Sequence, residues 1–179
     1  MSNAKRVVDS YLSMHKKRAE KERSWFQTQL SLKEVIRVAA LAQSDQGKRL
    51  DHQRRIKGAV LEDSYKALLE KIDDIESCSS FDELIDLIAV TIRPIHGIGE
   101  LAVYDTALRI GAYLDLFPDK VYLHAGTRTG ARNLGLDIDR PCIPLSEFPR
   151  EFQELSAEHI EDVLCIYKKR LWRLPQAKN

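Results

Sequence analysis

Apolar residues recur along most of this chain at helical rather than strand spacing. Leu32, Val35, Ile36 and Ala39 stand at i, i+3, i+4 and i+7, the stripe of an amphipathic helix. Ser31-Leu32-Lys33-Glu34 before them is a capping-box sequence, in which a hydroxyl and a carboxylate satisfy each other's first-turn amides. Ser80-Phe81-Asp82-Glu83 repeats the device ahead of Phe81, Leu84, Ile85 and Ile88, and Pro94 and Gly97 close that helix. A looser pattern covers residues 4–28, with Val7, Val8, Tyr11, Leu12, Trp25 and Phe26 among charges. After the polar break at Gln43–Gly47, residues 48–75 form one long pattern with Ile56, Val60, Tyr65, Leu68, Leu69 and Ile72 inward. Further helices are expected from about 100 to 114 and over 125–134, the latter stopping at Gly135, a left-handed cap residue. Ser156 opens the last, where Ile160, Val163, Leu164, Tyr167, Leu171 and Trp172 share a face. Val121-Tyr122-Leu123 is the one strand candidate. The expectation is a single all-α domain, 1–179, of seven to eight helices. Within it, residues 1–29 are a helical extension, 30–136 a central helical region and 137–179 C-terminal helices packing on it.

Composition narrows the class. With 179 residues, 44% of them hydrophobic and 31% charged, the chain supports a continuous core and is too charged for a membrane protein. Its longest apolar run, Leu84–Val90, is broken by Asp86 and too short to span a bilayer. Met1–Arg6 lead into a charged segment without an apolar signal block, so a cytoplasmic setting is expected. Cys78, Cys142 and Cys165 are far apart, and the five histidines lack metal-ligand spacing, so neither metal nor cofactor is expected. A net charge of +1 conceals segregation. Residues 5–23 carry seven basic side chains against three acids, and 62–86 carry nine acids against two lysines. Lys48, Arg49, Arg54, Arg55 and Lys57 form a second basic cluster. Such polarity suits an anionic partner on one face, and the acidic 62–86 region a basic protein partner.

The most informative stretch is Ile92-Arg93-Pro94-Ile95-His96-Gly97-Ile98-Gly99-Glu100-Leu101-Ala102. Glycines on either side of an isoleucine permit a tight turn and close approach of a ligand to the backbone. Gly99 opens a helix whose first amides and positive dipole end then face a phosphate. Ile98 anchors the turn between the two helices.

This segment resembles a helix-hairpin-helix, the DNA-backbone-binding element whose usual hairpin reads Leu-Pro-Gly-Ile-Gly; here His96 stands at the proline. Val121–Leu136 resembles the segment that follows in the helix-hairpin-helix DNA glycosylases, with Leu134-Gly135-Leu136 matching the family's ending and Arg128 its basic residue. The resemblance spans roughly 30–136 and implies the all-α glycosylase fold. It also implies duplex DNA as partner, contacted by His96, Gly97, Ile98, Gly99, Lys120, Arg128 and Arg132. The family's catalytic aspartate is replaced by His124, and its nucleophilic lysine falls at Leu101. Excision builds positive charge on the sugar, which a carboxylate stabilises and a neutral imidazole does not.

Three functions follow as expectations. The first is a DNA-binding protein on a glycosylase-like scaffold with chemistry lost or altered. The second is an active divergent glycosylase using His124 as general base or Asp105 as carboxylate, although Asp105 also suits an ion pair with Arg109 at i+4. The third is a protein-interaction module acting through 62–86. Neither a Gly-x-Ser-x-Gly elbow nor a phosphate-loop lysine is present. Trp25 and Trp172 read as core residues.

Overall fold

The structure, a computed structural model, describes residues 3–171. Among these residues the chain is all-α apart from one short ribbon. Ten helices run in the order α1 (Asn3–Met14), α2 (Lys16–Gln27), α3 (Leu32–Ala40), α4 (Gly58–Leu69), α5 (Ile72–Glu76), α6 (Phe81–Ile92), α7 (Glu100–Leu114), α8 (Ala125–Asn133), α9 (Ala157–Ile166) and α10 (Lys168–Leu171). Strands β1 (Lys120–Tyr122) and β2 (Cys142–Pro144) pair antiparallel with Val121 opposite Ile143. None of the described helices is long and apolar enough to cross a membrane. Trp172 lies outside the described residues.

The described residues form two compact units, one of residues 20–117 and one that joins those before 20 to those after 117. The segment boundaries expected near 29/30 and 136/137 therefore differ from the observed divisions at 19/20 and 117/118.

In the 20–117 unit, α3 packs on α4 and α7, and α6 packs on α7. Leu32, Val35, Ile36 and Ala39 are all buried, as their spacing requires. Both serine caps form, with the Glu34 and Glu83 amides donating to Ser31 and Ser80 Oγ at 3.2 Å each. Glu34 turns to pair with Arg37, and Glu83 accepts from the Ser79 amide at 2.7 Å. Phe26 is buried, while Trp25 is half-buried with its ring edge-on to Phe26.

Two long helical patterns are shorter than expected. Residues 4–28 break at His15 into α1 and α2. Residues 48–75 open instead with a bridge from Gln43 to Arg49 and a single 3₁₀ turn over Asp51–Gln53 before α4 and α5. Tertiary hydrogen bonds override local periodicity here. Arg49 Nη1 donates to the Ile56 carbonyl at 3.2 Å, and Gln53 is drawn into the core by Arg109 and Asp105.

The second unit buries Val7, Val8, Tyr11, Val121, Leu123, Ile143, Phe152, Ile160, Val163 and Leu164 in one cluster. Helix α8 lies against α9 so closely that a methyl on Gly130 would overlap the Leu164 carbonyl and stand 2.8 Å from its Cα. Tyr11 Oη is 2.7 Å from both His159 Nδ1 and Asp162 Oδ2, and burial with the Asp162 charge pushes its phenol well above the ordinary range.

Candidate functional site

The turn between α6 and α7 is built by local backbone bonds. The Ile95 amide donates to Ile92 O at 3.0 Å, Ile98 to Ile95 O at 3.1 Å, and Val103 to Gly99 O at 3.2 Å. Gly97 has φ 102°, a left-handed conformation that L side chains rarely adopt. Gly99 caps α7 with an extended φ of −102°. Ile98 is buried between them, and Arg93 Nη1 fixes its carbonyl at 3.2 Å. His96, Gly97 and Gly99 are exposed. Neither glycine's amide donates to a backbone carbonyl among the described residues. A methyl on Gly97 would lie 3.6 Å from Val60 Cγ1, which places the start of α4 beside the turn. Exposed Arg54, Arg55 and Lys57 lead into that start, and exposed Arg93 lies on the turn itself. Exposed Glu100 begins α7 with the opposite charge.

Asp105 lies on α7 in the same unit but is 8% exposed. Its Oδ2 receives Gln53 Nε2 in a short hydrogen bond, lies 3.2 Å from His52 Nδ1 and 3.5 Å from Arg109 Nη2. Burial pushes this carboxyl up, but the His52 hydrogen bond and the Arg109 charge outweigh it and hold it below the ordinary value. Arg109 is bound in turn by Gln53 Oε1 at 3.0 Å and stands over the Phe26 ring. The i+4 ion pair is therefore real and sits in the core.

The remaining sequence candidates belong to the other unit. Lys120 lies over the Tyr122 ring, 5.9 Å from its centroid. Arg128 Nη1 donates to the carbonyls of Ile138 at 2.7 Å and Arg140 at 3.1 Å, bracing the 138–140 loop. Arg132 is exposed on the last turn of α8.

His124 is the N-cap of α8 and is 3% exposed. Its Nδ1 accepts from the Gly126 amide at 3.3 Å, while its own amide donates to Thr127 Oγ1 at 2.8 Å. The full capping box thus occurs here, at a position whose residue types did not announce it. Nε2 makes a very short contact with Glu161 Oε1 of α9. Cys165, one turn further along α9, completes a group whose donor atoms all lie within 4.8 Å of one another. The expectation of no metal-ligating set rested on sequence spacing, and it missed this group because His124 is 37 positions from Glu161. The single readable signal was the i, i+4 spacing of Glu161 and Cys165, which puts both on one helix face.

No protein-family model, curated protein or solved structure matches this chain.

Proposed function

We propose that this chain binds the phosphate backbone of duplex DNA through the 93–99 turn, as a helix-hairpin-helix on a glycosylase-like scaffold whose excision chemistry is lost. The observation that carries the reading is the turn's geometry: left-handed Gly97, buried Ile98 and extended Gly99 at the head of α7. Two exposed amides and a helix end there can receive one phosphate oxygen, and no Cβ intervenes. Arg93 and the Arg54–Lys57 segment supply positive charge on the same unit. Loss of chemistry is supported by the burial of both candidates. Asp105 is neutralised by Arg109 inside the core, and His124 is tied at both ring nitrogens. A carboxylate that stabilises a developing sugar cation must face that sugar.

Binding should be independent of base sequence and should fall steeply with salt, because its free energy comes from released counterions. Anisotropy with labelled duplexes of unrelated sequence, between about 50 and 200 mM salt, tests this directly. Equal affinities and a steep salt slope are expected; no binding at low salt refutes the reading. Duplexes carrying uracil, 8-oxoguanine, alkylated bases or mismatches should stay uncut after alkali. Cleavage of any of them would restore the active-glycosylase alternative.

A further inference from the structure

We propose that His124, Glu161 and Cys165 form a three-donor site for a divalent metal of the zinc class, in the unit that does not hold the DNA-binding turn. An imidazole nitrogen, a carboxylate oxygen and a thiolate sulfur are the donor set that borderline-soft Zn²⁺ prefers. Three protein ligands leave a fourth tetrahedral position for water, the pattern of open rather than closed zinc sites. The donor atoms lie within 4.8 Å of one another. Bonds of about 2.0–2.3 Å to one ion set such atoms roughly 3.3–3.8 Å apart, so the short His124–Glu161 contact opens on binding while the set as a whole keeps its span.

The fold prepares this spot in two ways. Glu161 and Cys165 share a face of α9, and His124 is fixed opposite them by the α8 capping box. Gly126 then leaves the space that the sulfur uses, since a Cβ there would stand 2.9 Å from Cys165 Sγ. Charge also favours an ion. One divalent cation with one thiolate and one carboxylate sums to zero, which suits a site in which both His124 and Glu161 are buried. On binding, the Cys165 thiol releases its proton to solvent. The imidazole would bind through a ring nitrogen that carries no hydrogen, while the His124 amide keeps its bond to Thr127 Oγ1.

The test uses the full chain, stripped of metal and titrated with Co²⁺ and then Zn²⁺. Expected are one ion per chain, a thiolate-to-cobalt charge-transfer band in the near ultraviolet, and its loss on adding Zn²⁺. Cys165→Ser should remove the band and weaken binding at least as much as the 10–100-fold typical of lost outer-sphere partners. Cys78→Ser and Cys142→Ser should change neither. Gly126→Ala keeps every donor and should still weaken binding, because the added methyl crowds the sulfur. His124→Ala removes a helix cap as well as a donor, so Cys165→Ser, checked for fold by circular dichroism, is the deciding variant. A missing band at saturating cobalt, or a band that survives in Cys165→Ser, overturns the proposal and leaves a buried His–Glu pair beside a bystander thiol. Because the DNA experiments read the other unit, either proposal can fail without the other.

Discussion

Gly97 and Gly99 stand two residues apart, yet the structure requires opposite responses to substitution. Gly97 has φ 102°, so alanine there meets backbone strain rather than a clash, its nearest side-chain atom being 3.6 Å away. Strain of that kind costs about 1–3 kcal/mol. In a chain of this length a loss near 2 kcal/mol lowers the melting temperature by roughly 4–8 °C. Gly99 has an extended φ of −102° and nothing nearer to an added Cβ than Arg93 Nη1 at 3.9 Å. Valine fits there, and its poorer capping of about 0.5–1 kcal/mol is largely offset by a less flexible unfolded chain. If the Gly99 amide receives a phosphate, however, the valine side chain occupies the approach. One charge-assisted hydrogen bond is worth about 1.5–3 kcal/mol, so affinity should fall roughly 10–100-fold. Thermal unfolding and duplex anisotropy on both variants give four numbers. Gly97→Ala should lower stability, whereas Gly99→Val should lower binding with stability nearly intact. Parental affinity in a folded Gly99→Val would reduce the hairpin to a turn, and parental stability in Gly97→Ala would refute the strain argument.

Three further outcomes follow from the same geometry. Gly130→Ala should destabilise the unit holding α8 and α9 by about 1–3 kcal/mol or more in chemical denaturation, because its methyl overlaps Leu164 backbone that cannot rotate away. Asp105 has a folded-state pKa below its unfolded value, so its contribution is present above about pH 4 and is lost as pH falls through the folded value. Urea melts between about pH 2 and 5 should therefore show a steeper decline in the parent than in Asp105→Asn, the variant being about 3–5 kcal/mol weaker at neutral pH because the buried pair with Arg109 is broken. Glu100→Gln removes an exposed carboxylate from the helix end that a phosphate would occupy, so duplex affinity measured by anisotropy should rise a few-fold.

Local order was legible in the sequence wherever a short-range rule governs. The stripe of α3, the serine caps at Ser31 and Ser80, the left-handed Gly135 and the buried Ile98 all follow from neighbours within one or two turns. Long-range partners were not legible. Residues 48–57 read as helix because Ile56 keeps helical phase with α4, but Gln53 is committed to Arg109 and Asp105, which lie more than fifty positions away. The strand candidate at Val121 forms, and its partner at Ile143 has no alternation of its own. Arg128 shows the same limit. Its charge suggested a DNA contact, yet two backbone carbonyls ten and twelve residues on engage its guanidinium.

His124 serves two helices at once, α8 through one ring nitrogen and α9 through the other. A helix N-cap needs an acceptor on its side chain, which aspartate ordinarily supplies. At this position imidazole Nδ1 accepts the Gly126 amide instead. That orientation commits the ring's other nitrogen to the α9 side, where a carboxylate is present after all, in Glu161. The negative charge thus lies behind the ring, where α8 packs closely on α9 at Gly126 and Gly130. A carboxylate placed there faces the imidazole and Cys165, not a sugar approaching from solvent. The ring that offers a sugar cation no countercharge is therefore the one that brings three candidate metal donors together, and loss of the sulfur-to-cobalt band in Cys165→Ser decides whether that set binds.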